Sequence, residues 1–107
     1  MTLISGVELP SDRVSEICKR YGVRELSVFG SAARGDLRPE SDVDILVDFE
    51  PDARVGLVKF ASLSEELEQM VGRKVDLVTK TGLRPRIRSE VLGEAQLVYS
   101  ASHSEDR

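Results

Sequence analysis

The sequence predicts an α/β (α+β) fold, a small mixed β-sheet covered by helices, and three observations carry that expectation. Segments of helical apolar period alternate with short β-branched runs in the order α, β, turn, β, α, β, α, β. Glycines fall where these segments stop, at Gly22, Gly30, Gly72 and Gly93. A chain of 107 residues with 40% hydrophobic content builds one modest core and leaves no room for a second domain.

Ser11 and Asp12 provide a helix start, Val14, Ile17 and Cys18 follow at helical spacing, and Tyr21 and Gly22 close this first helix. Residues 24–29 alternate polar and apolar and end at Gly30, as a strand does. Residues 30–41 hold glycine, proline and short polar residues, with room for one helical turn at Ser31, Ala32, Ala33 and Arg34. Residues 42–49 read as a second strand with Val43, Ile45 and Val47 on one face, so Asp42 and Asp44 face the other way.

Pro51, Asp52 and Gly56 mark a loop, after which Leu57, Phe60, Leu63, Leu67, Met70 and Val71 trace the apolar stripe of a helix. Residues 74–79 form a third strand in which Asp76 faces opposite to Val75 and Leu77. Pro85, Ile87, Val91, Leu92 and Gly93 outline a short last helix, and residues 96–99 add one more strand. One domain is expected over residues 1–99, followed by a disordered polar tail, 100–107, that contains His103.

Charged residues make up 32% of the chain with both signs interspersed, the mark of a solvated surface, and the net charge of −4 argues against clamping a long nucleic acid. The single cysteine, Cys18, allows neither an intrachain disulfide nor a cysteine zinc cluster and reads as a core residue in a reducing compartment. No run approaches the about 20 apolar residues of a membrane helix, and residues 1–10 lack the pattern of a signal peptide. A cytoplasmic location without a membrane partner is therefore expected.

Chemistry concentrates in and around residues 30–44. Two aspartates at i and i+2 on a strand project like charges from one face, an arrangement that a divalent cation relieves. Hard oxygen ligands of this kind suit Mg²⁺ or Mn²⁺, and Asp76, the acidic residue inside another apolar strand, is the natural third ligand. Gly30 and Ser31 end the preceding strand, where backbone N–H groups and a hydroxyl can approach phosphate oxygens, and Arg34 adds a charge-assisted contact. Phosphate donors beside metal-binding carboxylates are what nucleotidyl transfer needs. Asp36 and Glu40 lie in the loop and are left out of the site. Asp48 reads as a solvated strand end, and Arg84, Arg86 and Arg88 with Lys80 read as an exposed basic face.

The run Gly30-Ser31-Ala32-Ala33-Arg34-Gly35-Asp36, followed by Ser41-Asp42-Val43-Asp44-Ile45, resembles the signature of the DNA-polymerase-β-like nucleotidyltransferases. Within them it looks most like the minimal nucleotidyltransferases, the MntA-type antitoxins, over about residues 23–99. The resemblance implies a polymerase-β-like palm and Asp42, Asp44 and Asp76 as catalytic, metal-holding residues, with two Mg²⁺ ions. It implies Gly30, Ser31, Arg34 and Ser41 at the nucleotide and ATP as substrate. It further implies a HEPN-domain toxin as partner in a hetero-oligomer, inactivated when AMP moves from ATP onto its tyrosine. Two other readings stay open: a small-molecule adenylyltransferase acting on an aminoglycoside-like alcohol, and a non-catalytic antitoxin that works by occlusion.

Overall fold

The computed structural model describes the backbone of residues 2–4 and 6–101 and the side chains of residues 6–101. A hairpin of β1 (Thr2–Ile4) and β2 (Val7–Leu9) precedes α1 (Ser11–Tyr21), β3 (Val23–Phe29), α2 (Gly30–Arg34) and β4 (Val43–Phe49). Then come α3 (Leu57–Val71), β5 (Val75–Thr79), a single 3₁₀ turn (Lys80–Gly82), α4 (Pro85–Glu94) and β6 (Gln96–Ser100). Four strands form one mixed sheet in the order β5-β4-β3-β6, with β4 and β5 parallel across the α3 crossover and the other pairs antiparallel. The expected mixed sheet covered by helices is the fold observed.

One sheet face carries the main core. Val43, Ile45 and Val47 are fully buried there and meet Val14, Ile17 and Cys18 of α1 and Leu63 and Leu67 of α3. Helix α1 buries residues 14, 17, 18 and 21, the spacing of one helical face, and stops where Gly22 turns left-handed at φ +73°. Its cap is Pro10, whose carbonyl accepts from the Val14 N–H at 2.9 Å, so Ser11 lies inside the helix and makes no capping bond. Glu66 ties α3 to α1 by accepting from Arg20 at 2.6 Å and from the Tyr21 hydroxyl at 2.7 Å.

Several expectations are corrected. Leu57 is 85% exposed, so the apolar stripe of α3 begins at Phe60. Helix α4 runs through Gly93 and ends on Glu94, because the chain leaves the helix at an extended Ala95 rather than at a left-handed glycine. Ile87 and Leu92 stay substantially exposed, leaving Val91 as the buried anchor of α4. Strand β6 includes Ser100, and the Ala101 N–H donates to the Arg24 carbonyl at 2.9 Å, so the boundary expected at 99 falls inside a strand. His103 lies outside the described residues. The hairpin of β1 and β2 was not anticipated.

The second sheet face is covered more thinly. Leu46, Leu83 and Val91 form a small cluster with Phe29 and Val78, and α4 supplies its lid. Asp44 and Asp76 lie on this face beside that cluster.

Candidate active site

Strand β3 runs extended through Phe29 and enters α2 at Gly30, whose φ of +71° is a backbone conformation that side chains disfavour. A second constraint acts at the same residue: a Cβ there would collide with Asp44 Oδ2 and stand 3.0 Å from Asp44 Cγ. Gly30 thus lets the turn lie directly against the carboxylate. Gly35, which ends α2 at φ +82°, has open space around it.

Parallel pairing of β4 and β5 sets Asp44 opposite Asp76 and Val43 opposite Val75. Partners in register present their side chains to the same side of a sheet, so the two carboxylates share a face. Asp42 sits just ahead of β4 and is exposed, Asp76 is exposed, and Asp44 is half-buried. The Asp44 carboxyl is held above its usual range, first by burial, then by the charges of Asp76 and Asp42, with Arg34 opposing and Glu94 adding to the rise. Asp44 therefore senses the charges of both Asp76 and Asp42.

Among the described residues no hydrogen bond or ion pair reaches the side chain of Asp42, Asp44 or Asp76. Also among them, no three histidine, cysteine, aspartate or glutamate side chains converge closely enough to cage a metal by themselves. Magnesium is ordinarily held by one or two carboxylates, with substrate phosphates and water completing its shell. An open set of unpartnered, hard oxygen ligands fits that ion in kind.

The expected phosphate donors have a partner that the sequence did not reveal. Gly30 N–H donates to Glu94 Oε2 at 2.8 Å, and Arg34 Nη1 reaches Glu94 Oε1 at 3.2 Å. Arg34 also lies 3.8 Å from Asp36. Ser31 follows Gly30 in α2, and no bond to its hydroxyl occurs among the described residues. Ser41 stands in the loop before Asp42, its N–H donating to the Arg38 carbonyl at 3.0 Å. That loop is clamped by Arg73, whose Nη2 donates to the carbonyls of Arg38, Pro39 and Ser41, the last two at 2.9 and 2.8 Å. The structure thus gathers Gly30, Arg34, Asp44 and Asp76, and keeps Ser31, Ser41 and Asp42 on the adjoining backbone.

Asp44 and Asp76 line a cleft of about 420 Å³ whose remaining wall includes Phe29, Val78, Ile87, Val91 and Arg84. Arg84, Arg86 and Arg88 are exposed, whereas Lys80 turns toward Glu25 at 3.9 Å. Asp48 is not a free strand end: its side chain is 13% exposed and accepts from Arg24 at 2.7 Å across the sheet.

Comparison with known proteins gives the family and the fold. The family described as "Nucleotidyltransferase domain" matches residues 11–98. The chain is 49% identical over 83 residues to the protein adenylyltransferase MntA of Thermococcus cleftensis, covering 78% of this chain and 82% of that one. It superposes on a solved protein assigned as a minimal nucleotidyltransferase with a TM-score of 0.69 and 43% identity, covering 80% of this chain and 86% of the other. A fold likeness at 14% identity and a TM-score of 0.61 extends to a complex of a tri-AMPylated Shewanella oneidensis HEPN toxin with its MNT antitoxin, over 90% and 74% of the two chains.

Proposed function

Because this chain belongs to the nucleotidyltransferase domain family, we propose that it is an Mg²⁺-dependent antitoxin that moves AMP from ATP onto a tyrosine of a HEPN-type toxin. The observation that carries the reading is the in-register pairing of Asp44 with Asp76 against the Gly30 turn, with all three aspartates unspent on protein partners.

In this reading the Gly30 N–H, the Ser31 hydroxyl, Arg34 and Ser41 hold the nucleotide, while Asp42, Asp44 and Asp76 hold the cations. Bound Mg²⁺, as two ions, supplies neutralisation of the phosphate charge that builds as the bond to the leaving group breaks. The acceptor hydroxyl oxygen attacks the α-phosphorus, the bond to pyrophosphate breaks, and the hydroxyl proton passes to a carboxylate of the cluster. The cleft suits an aromatic acceptor: Phe29, Val78, Ile87 and Val91 offer an apolar wall to a ring whose hydroxyl meets the Asp44 and Asp76 edge.

Transfer to a protein draws support from the name of the Thermococcus relative, and the class of partner from the AMPylated HEPN toxin of the Shewanella complex. The deciding experiment incubates this chain and a cognate HEPN-type protein with ATP and Mg²⁺ and reads the intact mass of that protein. A gain of one or more AMP units, lost in chelator, is the expected result. A tightly bound, inactive but unmodified toxin would instead favour inhibition by occlusion.

A further inference from the structure

Glu94 sits where two electrostatic penalties meet. It is the last residue of α4, and the C-terminal end of a helix carries partial negative charge that repels an acid, with no basic residue in that last turn to offset it. Its charge also adds to those of Asp76 and Asp42 at the Asp44 carboxyl. Its only compensation among the described residues is the pair already described, the Gly30 N–H at 2.8 Å from Oε2 and the Arg34 guanidinium, 3.2 Å from Oε1 and 3.4 Å from Oε2, so that both carboxylate oxygens are engaged. Two oxygens of one anion shared between a backbone N–H and a guanidinium is how a phosphate would be held at the same place. The Glu94 side chain is 23% exposed, so it can leave for solvent without unfolding the helix behind it.

We propose that Glu94 is an internal stand-in for phosphate, occupying the Gly30 and Arg34 donors in the free protein and yielding them to the triphosphate of the incoming nucleotide. Glu94 thereby sets nucleotide affinity: the donors are available only in the fraction of molecules whose Glu94 has swung out, and the apparent dissociation constant rises by the inverse of that fraction. The proposal rests on the reading of Gly30 and Arg34 as triphosphate donors.

The test is equilibrium titration of the full chain with ATP and Mg²⁺, comparing the parent with Glu94→Gln, Glu94→Ala and the double variant Glu94→Ala, Arg34→Ala. Glu94→Ala should bind ATP roughly three- to tenfold tighter than the parent, with Glu94→Gln in between because an amide oxygen still accepts from Gly30 but no longer pairs with Arg34. The gain should shrink when Arg34 is also removed, the coupling a shared contact requires. Glu94→Gln keeps the side chain's shape, so the comparison survives if the alanine variant folds poorly. Parent protein that binds ATP while both single variants bind equally or more weakly would overturn the proposal and make Glu94 a residue that merely positions Arg34. If neither the parent nor any variant binds ATP, the donor assignment itself fails and the proposal falls with it.

Discussion

Gly30→Ala tests the contact on which the site is built, and Gly35→Ala provides its control. Both residues have left-handed backbone, at φ +71° and +82°, so an alanine at either carries the same conformational strain, about 1 kcal/mol. They differ in surroundings: nothing lies within 4 Å of a Cβ on Gly35, whereas on Gly30 it would overlap Asp44 Oδ2 and crowd Cγ at 3.0 Å. Relief requires the Asp44 carboxylate to swing by about 1 Å or more, and a misplacement of that size can lower a reaction rate about 100-fold. Overpacking adds about 1 kcal/mol or more to the strain. Gly35→Ala should melt about 4–8 °C low and transfer AMP nearly as the parent does, whereas Gly30→Ala should melt lower still and lose most activity. In an Asp44→Ala background the colliding oxygen and Cγ are gone, so Gly30→Ala should then cost little more than Gly35→Ala. Thermal melts in chelator and AMP transfer to the toxin measure all of this. A Gly30→Ala protein that keeps full activity, or melts no lower than Gly35→Ala, would refute the reasoning.

Asp44→Asn should abolish transfer yet melt in chelator at or slightly above the parent. Since the fold raises the Asp44 carboxyl above its usual range, the ionised form is disfavoured at higher pH, and the advantage of asparagine should vanish as pH falls through the carboxylate range. A variant melting far below the parent would make Asp44 a structural residue. Arg73→Ala removes the donor shared by three loop carbonyls ahead of Asp42 and should lower transfer on the order of tenfold with a small change in melting, and unchanged kinetics would show that the clamp is dispensable. Burial pushes the Cys18 thiol up to about 12, so it should resist thiol reagents at neutral pH until the protein unfolds, and stability should fall as pH rises from the ordinary thiol range toward that value. Labelling of native protein at the rate of unfolded protein would contradict that burial.

Periodicity revealed what each side chain faces, and that was enough for most of the fold. Val43, Ile45 and Val47 against Asp44 is a period-two pattern read directly from the chain, as is Asp76 between Val75 and Leu77. Which strand lies beside which is another matter: the in-register neighbourhood of Asp44 and Asp76 comes from parallel pairing through the α3 crossover, a relation that no local pattern encodes. The hairpin of β1 and β2 escaped because three residues per strand are too few to show alternation, although Val7 and Leu9 are buried around an exposed Glu8. Glu94 escaped for a longer-range reason, since its partner Gly30 stands 64 positions away, and Gly93 beside it imitated a helix end. Nothing in the sequence around Arg73 marks its role, and only the folded loop brings three carbonyls to it.

The unequal cover of the two sheet faces explains how a chain this small can hold an acidic site. The face packed by α1 and α3 contains nearly all the large buried side chains, so it supplies most of the apolar burial that holds the fold. The opposite face rests on Leu46, Leu83 and Val91 and leaves the cleft beside Asp44 and Asp76 open. Repulsion among the carboxylates therefore falls on the open face of β4 and β5, away from the side that packs against α1 and α3. Strands β3 and β4 link the two sides: the residues that alternate with Asp44 are buried in the core, so the core fixes where its carboxylate stands while the open face leaves that carboxylate free for a ligand. Substitutions at Asp44 or Glu94 should accordingly alter binding and transfer more than stability, and shaving a core neighbour such as Ile45 to alanine should cost about 2–5 kcal/mol and take activity down with the fold.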